Sequence, residues 1–333
     1  MQRFIFVLII CSSTLVFSQK RATYYNEYIE RMNNKLNMKF ELDNDIESYE
    51  YGDKKSGYTI KPNTNYRNTI SANYRYITFK IGYTPKYLSD KDTDIKGKTK
   101  TFKLQSDIYI RNWMQTFEYS KVSGFYVTDI VSNSALEPLT EDDIIILPDL
   151  KTRNFRGITR FKFNPDFSLK ALLNQQEIQR KSAGSFVPSL TWNSFKISDK
   201  SSIQDLKSFS LVFNAGYYYT YVLNEKWYST LGLGPGFGFG FNKSITKSDE
   251  GNTTTKNNDL VFNINAHLGI GYNSKSFFGG IALRGIGTSR DKNSVIEFNT
   301  TRGIFQIFIG YRFKSPKVLE DGMDWLEDQN PLF

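Results

Sequence analysis

Hydrophobic and polar residues alternate with a period of two in three consecutive stretches of the chain, 207–223, 226–243 and 258–273. The middle stretch is the clearest: odd positions from Trp227 to Phe241 are mostly bulky and apolar, and even positions from Gly232 to Gly240 are all glycine. Successive side chains of a β-strand point to opposite faces. Each stretch therefore predicts a strand with one apolar face and one polar or bare face.

Strand length separates the two architectures that produce this alternation. A soluble sandwich turns its apolar faces inward, whereas a membrane barrel turns them toward lipid. Globular strands usually have about 5–6 residues, and a strand that crosses the bilayer needs about 9–11. The run from Trp227 to Phe241 spans roughly 46 Å at about 3.3 Å per residue, or about 33 Å of height at a tilt of about 45°. This length favours the membrane barrel.

The fold class that we predict is all-β, a transmembrane antiparallel up-and-down β-barrel of about 12 strands. Tight turns near Arg75, Asn112, Asn224 and Asn273 alternate with longer polar connections, as expected for periplasmic turns and extracellular loops. The predicted strands are 37–51, 57–75, 76–88, 99–112, 113–128, 152–164, 183–197, 207–223, 226–243, 258–273, 276–289 and 295–313.

One connection on the periplasmic side is too long for a tight turn. In the segment 164–182, Asn164 and Pro165 form a helix-start signal, and Leu169, Leu172 and Leu173 follow as a short apolar stripe. We therefore predict a short helical insertion near 165–178. It either lies under the barrel, enters the lumen, or is an ordinary ordered loop.

The two ends of the chain predict segments outside the barrel. Residues 1–18 have the basic start, apolar core and small residues of a signal peptide, with cleavage expected after Ser18; Ile10 is too bulky for Cys11 to lie in a lipoprotein signal. Residues 19–36 form a periplasmic lead-in to the barrel at 37–313. Residues 314–333 form an acidic periplasmic tail. These boundaries predict an exported protein of the cell outer membrane.

Composition narrows the classes of protein further. Aromatic residues make up 16% of the chain despite a mean hydropathy of −0.45, which argues against disorder. With one Cys and one His, we expect no metal and no cofactor. Loss of Arg3 with the signal peptide lowers the net charge from +9 to +8. For an exported chain this charge indicates a basic pore or a surface facing lipopolysaccharide, and we expect no nucleic-acid partner.

Three short stretches carry a resemblance to a known family. They are the decapeptide Glu177–Phe186, the hairpin within Tyr58–Pro85, and the hexapeptide Lys121–Tyr126. With the strand layout, they resemble the exported family catalogued as domain of unknown function 4421, found in the Bacteroidetes. The resemblance extends over nearly the whole mature chain. It implies a Gram-negative outer-membrane protein and lends no activity and no catalytic residues.

Catalysis in the barrel would have to use His267, because it is the only histidine. By parity it shares the lumen face with Asn263 and Asn265, whereas phospholipase-type barrels carry their catalytic groups on the lipid-facing wall. The chain also has no G-x-S-x-G elbow. We expect His267 to be a structural lumen residue and the protein not to be an enzyme. A barrel-embedded hydrolase that uses His267 is retained as the second alternative.

The remaining functional hypotheses come from charged residues at strand positions whose side chains are predicted to point into the lumen. On the first strand Lys39, Glu41, Asp43 and Asp45 share one parity, so acids and bases can pair across a narrow interior. We expect a packed polar lumen with a structural or docking role. The first alternative is a small pore whose basic wall favours anions. The residues predicted for that wall are Lys80, Arg156, Arg160, Lys162, Arg302 and Arg312.

The expected partners follow from this placement. They are outer-membrane lipid and lipopolysaccharide, the barrel-assembly machinery, and a periplasmic partner for the tail. Five acids surround Met323, Trp325 and Leu326 in the tail, which suits docking to a basic protein. The same charge would suit the barrel's own basic mouth near Arg312 and Lys314.

Overall fold

A computed structural model describes residues 27–52, 56–63, 66–85, 93–132, 135–140, 143–199, 204–247, 251–290 and 297–329. These residues form 16 strands and three helices. The strands are β1 Ile29–Arg31, β2 Lys35–Gly52, β3 Ser56–Lys61, β4 Arg67–Tyr74, β5 Ile77–Tyr83, β6 Lys100–Ile110, β7 Trp113–Ser132, β8 Ala135–Pro138, β9 Ile146–Phe161, β10 Glu177–Gln179, β11 Ala183–Ser198, β12 Gln204–Leu223, β13 Trp227–Thr246, β14 Thr253–Asn273, β15 Phe277–Arg290 and β16 Glu297–Lys314. The helices are α1 Thr93–Lys96, α2 Leu169–Asn174 and α3 Lys317–Gln329.

Twelve of these strands close into an antiparallel barrel. The circuit runs β2-β4-β5-β6-β7-β9-β11-β12-β13-β14-β15-β16 and returns to β2. The closing seam pairs β16 with β2 from Lys314 opposite Lys35 to Glu297 opposite Gly52. The predicted barrel is therefore confirmed, and α2 confirms the short helical insertion. The proposed signal peptide lies outside the described residues.

The structure divides the predicted strand 57–75 into β3 and β4. Both strands pair antiparallel with β2. The second neighbour of β3 is β7, whereas the second neighbour of β4 is β5. The hairpin of β5 and β6 stops partway up, so the described barrel has twelve strands at the end with tight turns and ten near the other end. We call these the short-turn end and the long-loop end. Pro62, which has no N–H for a ladder, lies at the break.

Where the β5–β6 hairpin ends on its long-loop side, a small set of polar contacts joins the segment between β3 and β4 to β7. The Asn63 amide donates to Thr99 Oγ1 at 2.9 Å, and Thr99 Oγ1 donates to the Gly124 carbonyl at 2.7 Å. Gly124 has a φ of +85°, and a Cβ there would collide with the Lys98 carbonyl. Glycine is therefore required where β7 exchanges β6 for β3 as its neighbour.

The exterior of the barrel is apolar and its interior is polar. Leu231, Ile270 and Ile309 are 60%, 62% and 53% exposed on the outer face. Trp113 and Trp227 are exposed beside the tight turns, as in an interfacial aromatic belt. A protein surrounded by water buries such side chains, so this distribution is that of a transmembrane barrel.

The glycine stripe of β13 lies on the inner face of this wall. A Cβ on Gly232 would collide with the ring of Tyr218, its neighbour on β12. A Cβ on Gly236 would collide with Asn214, and one on Gly240 with Arg290. The stripe therefore makes room for three larger side chains that enter the lumen.

Candidate functional site

The segment 164–182, which we call the insert, fills the short-turn end of the lumen. Its strand β10 pairs with β1, with Ile29 opposite Gln179, and forms a separate two-stranded sheet at the mouth. Phe167, Leu169 and Leu172 of the insert are buried in one cluster with Tyr109, Met114 and Val187 of the wall. Of the three arrangements left open by the sequence, entry into the lumen is the one observed.

Local hydrogen bonds explain why the insert forms a helix of only six residues. Ser168 is the N-cap of α2, and its Oγ accepts from the Ala171 amide at 2.9 Å. Ser168 Oγ also donates to Glu177 Oε2 at 2.6 Å. Gln175 ends the helix in the left-handed region with a φ of 52°. The cap and this reversal hold both ends of α2.

Asn174 ties the insert to one side of the wall. Its side chain is fully buried, and its Nδ2 lies 2.6 Å from Tyr109 Oη, 2.9 Å from Asp107 Oδ2 and 3.2 Å from Thr78 Oγ1. Asp107 and Thr78 are also completely buried. A buried amide donor with polar partners from two strands fixes the end of α2 against β5 and β6.

Gln175 and Glu177 tie the insert to further strands of the wall. Lys39 Nζ donates to Gln175 Oε1 at 3.0 Å, and the Arg312 guanidinium donates to the Gln175 carbonyl. Asn273 Nδ2 donates to the Glu177 carbonyl at 3.0 Å. These partners belong to β2, β16 and β14, so with those of Asn174 they attach the insert to five strands of the barrel.

Two of the residues predicted for a basic pore wall, Lys162 and Arg312, bind the insert and the turns beside it. Lys162 Nζ donates to the Phe167 carbonyl at 2.6 Å, and Arg312 also donates to Asn273 Oδ1 at 2.7 Å. Both cations are satisfied largely by backbone and amide oxygens. The sequence prediction used only the odd or even position of each residue along its strand. That position indicates which face a side chain is on, and it does not indicate which carbonyl groups the side chain meets.

A charge network crosses the middle of the lumen. Arg302 makes a bidentate pair with Asp45, with both N···O distances at 2.7 Å, and its Nη1 lies 3.0 Å from Glu118 Oε1. Lys103 Nζ lies 2.8 Å from Glu118 and 3.4 Å from Asp45. Arg67 Nη2 lies 2.9 Å from Asp45. Buried carboxylates with several cations each are stabilised by the pairing, and removal of one partner leaves a charge without compensation.

The other predicted basic residues extend this network along β9. Arg156 lies 3.7 Å from Glu47 and 3.9 Å from Glu118. Arg160 donates to Thr116 Oγ1 at 3.0 Å. Lys80 is buried on β5 without a hydrogen bond or ion pair among the described residues.

An apolar cluster fills the lumen near the long-loop end. Tyr49 stacks beside Phe195 with ring centroids 5.2 Å apart, and Phe125 approaches Tyr49 edge-on at 6.1 Å. The other buried members are Ile60, Val127, Leu150 and Leu206. The lumen is thus filled at three levels, by the insert, the charge network and this cluster.

Three small cavities lie between these levels, with volumes of about 80, 30 and 10 Å³. Asn263 and Asn265 line the 80 Å³ cavity, where Asn265 Nδ2 donates to Asn214 Oδ1 at 2.8 Å. His267 lines the 10 Å³ cavity, with its ring centroid 6.4 Å from that of Tyr218.

The chemistry at His267 is limited. Among the described residues, its imidazole makes no hydrogen bond to a serine hydroxyl or a carboxylate. Within the same ranges, no cluster of three or more His, Cys, Asp or Glu side chains is arranged to hold a metal ion.

The acidic tail forms helix α3 beside the barrel rim. Arg75, in the turn between β4 and β5, lies 2.5 Å from Asp324 and 2.8 Å from Glu327. Burial lowers the pKa of Arg75, but the hydrogen bonds to these two carboxylates outweigh it and raise the pKa. The opposite side of α3 exposes Val318 and Trp325, at 82% and 62%. No helix in the described ranges is long and apolar enough to cross a membrane.

The same turn also holds the insert. The Arg75 carbonyl accepts from Lys170 Nζ and from Gln176 Nε2, both at 2.9 Å. Burial lowers the pKa of Lys170, and nearby Glu177 opposes this shift. One turn thus joins the tail helix outside the barrel to the insert inside it. The sequence predicted that the acidic tail could dock on the barrel's own basic mouth near Arg312 and Lys314; the described contact is instead at Arg75.

The family model for a domain of unknown function (DUF4421) matches residues 23–313, from before β1 to the end of β16. The chain belongs to this family. The DUF4421 match includes the twelve barrel strands and the insert, and it ends before α3. The tail helix is therefore outside the part of the chain that defines the family. No match was found among curated proteins.

Several solved barrels are similar in shape to this DUF4421 protein. OmpT of Vibrio cholerae is 9% identical, with 83% of this chain and 97% of that chain covered and a TM-score of 0.34. The translocator domain of autotransporter NalP from Neisseria meningitidis is 12% identical, with 94% and 95% covered and a TM-score of 0.36. The outer membrane protease OmpT from Escherichia coli is 9% identical, with 89% and 100% covered and a TM-score of 0.35. Likenesses this weak carry no information about function.

Proposed function

We propose that this protein is a closed outer-membrane barrel that acts as an anchor and docking platform and does not conduct ions or solutes. The observation that carries the proposal is the obstruction of the lumen at three levels. Open porins have a water-filled interior, whereas here the insert, the charge network and the apolar cluster occupy successive levels of the lumen. A packed polar interior suits a structural support for groups displayed at the rim.

The proposed location rests on the barrel surface. The apolar outer band requires lipid, and a closed β-barrel satisfies all of its ladder hydrogen bonds within that lipid. With the predicted signal peptide, this favours the outer membrane, insertion by the barrel-assembly machinery, and contact with lipopolysaccharide at the long-loop end. The short-turn end would then face the periplasm.

The proposed docking element is α3. Its acidic side binds Arg75, and its exposed apolar residues Val318 and Trp325 are flanked by further carboxylates at Asp321 and Asp328. This combination suits a periplasmic protein with a basic, partly apolar surface. Arg75 would set the direction in which α3 presents that face.

Conductance measurements test the closed barrel directly. We expect the refolded full-length protein to give no stepwise currents in planar bilayers, under conditions in which a porin gives clear steps. A shift in gel mobility on boiling should verify that the same sample is folded. Regular single-channel steps from folded protein would contradict the proposal.

The basic lumen supports one alternative function, a small anion-favouring pore that opens when the insert moves. Its support is that Lys80, Arg160 and Arg284 enter the lumen without a carboxylate partner in the described chain. If steps are seen, the reversal potential in a salt gradient should indicate anions, and Arg156→Gln with Arg160→Gln should weaken that preference. We infer no enzymatic role, because His267 lies beside a 10 Å³ cavity without an activated nucleophile.

A further inference from the structure

A small cavity near the short-turn half of the lumen is lined by an excess of positive charge. It has a volume of about 30 Å³ and lies between β2, β4, β5, β6, β15 and β16. Its charged lining residues are Glu41, Asp43, Arg67, Lys80, Lys103 and Arg284. The four cations exceed the two carboxylates, and the pairing of these charges differs from residue to residue.

Both carboxylates are already held by cations of their own. Glu41 lies 2.5 Å from Lys39, which is outside the cavity lining. Asp43 lies 2.5 Å from Arg67 and accepts from Thr69 Oγ1 at 2.7 Å. Each carboxylate therefore already has one cation at contact distance.

Lys103 is also paired, since its ammonium lies 2.8 Å from Glu118 in the charge network. Lys80 and Arg284 are different. Lys80 is only 7% exposed and has no hydrogen bond or ion pair in the described chain. Arg284 has one hydrogen bond, from Nη2 to Gln306 Oε1 at 3.1 Å, and its buried Nε has no partner.

Two cations that line one cavity in a low-dielectric interior are destabilised by desolvation and by their mutual repulsion. Arginine does not lose its proton in proteins, so deprotonation cannot remove both charges. A bound anion in the cavity that both side chains line can offset both charges.

We propose that this cavity is a binding site for a halide-sized inorganic anion, held by the Lys80 ammonium and the Arg284 guanidinium. The size follows from the volume: a single water needs about 10–15 Å³ of comparable space, so 30 Å³ admits a chloride-sized ion. The anion would lock β5 to β15 across the lumen. The site does not depend on whether the barrel conducts.

Bromide provides the test, because it resembles chloride and scatters anomalously. Crystals of the full-length protein grown in bromide should show an anomalous peak within hydrogen-bond distance of Lys80 Nζ and Arg284. The peak should vanish in Lys80→Met and persist in Arg160→Met, which removes a lumen cation outside the cavity. No peak between the two residues in the wild type, or an adventitious ion only at the surface, overturns the proposal.

A solution measurement covers the case in which Lys80→Met crystals cannot be obtained. At constant ionic strength, replacing a large organic anion by chloride should raise the unfolding midpoint of the wild type, because a ligand that binds only the folded state stabilises it. The midpoint of Lys80→Met, or of Arg284→Gln if the first variant does not fold, should not respond. An equal response in the variants and in the wild type overturns the site.

Discussion

Replacement of Asn174 by alanine is expected to release the insert from the wall. The substitution removes a fully buried amide whose Nδ2 lies within hydrogen-bond distance of Thr78, Asp107 and Tyr109. An amide nitrogen has two hydrogens, so we count its two shortest contacts, at 2.6 Å to Tyr109 and 2.9 Å to Asp107. The bond to the neutral hydroxyl contributes about 1 kcal/mol, and the bond to the carboxylate contributes about 1.5–3 kcal/mol.

The sum, about 2.5–4 kcal/mol, corresponds to a shift on the order of 10²-fold toward the released insert, at about 1.4 kcal/mol per factor of ten. Asp107 keeps its contact with Gln105 Nε2 at 3.1 Å, so the barrel wall itself should remain folded.

Hydrogen exchange of the α2 amides measures this release. Protection of Leu169–Asn174 should fall by about the same factor, while protection of the strands β12 to β14 stays unchanged. Asn193→Ala is the matched control: Asn193 also faces the lumen but lines the 80 Å³ cavity and makes no bond to the insert. Unchanged α2 protection in Asn174→Ala, or an equal loss in the control, would refute the hydrogen-bond account of the insert.

Three further predictions follow from the same structure. Leu233→Arg places a charge on the lipid face and should cost about 2–4 kcal/mol, whereas Ser210→Asn, which adds a small polar group on the lumen face beside the 80 Å³ cavity, should cost less; equal losses of heat-modifiable protein would contradict the facing of the strands. Arg302→Met leaves Asp45 and Glu118 undercompensated and should destabilise the barrel by about 3–5 kcal/mol in denaturant unfolding, whereas a change below about 1 kcal/mol would show the network to be unimportant. Deletion of residues 317–333 should leave membrane insertion intact, whereas Phe313→Ser should impair it; the reverse result would place the tail within the barrel.

The strands could be predicted from sequence because every side chain that faces lipid has to be apolar. The alternation of apolar residues with glycine between Gly232 and Gly240 follows from this requirement. The predicted and observed bounds of β11 to β14 agree to within a few residues. The break between β3 and β4 could not be predicted in this way. It arises where the β5–β6 hairpin ends, which is a property of neighbouring strands and leaves the inside–outside pattern intact.

For the lumen residues, the sequence could predict which side chains point inward but not which groups they contact. Parity indicates that Arg302 points inward, but its partners Asp45 and Glu118 belong to strands far away in the sequence. The contacts of Arg312 and Lys162 are to carbonyl oxygens, which every residue possesses. Only the three-dimensional path of the insert determines which carbonyls these cations meet.

The two hydrogen bonds to the Gln175 carbonyl have a consequence for the order in which the barrel strands and the insert come together. This carbonyl accepts from Asn37 at 3.4 Å and from Arg312, and these two residues face each other across the closing seam of β2 and β16. They lie 138 and 137 residues from Gln175 along the chain, in opposite directions. The Arg312 bond therefore forms only after the last strand has been made, whereas the bonds of Asn174 to β5 and β6 need only earlier strands. The Gln175 carbonyl thus has one donor from each side of the seam, so a single backbone oxygen of the insert bridges the first and last strands of the wall.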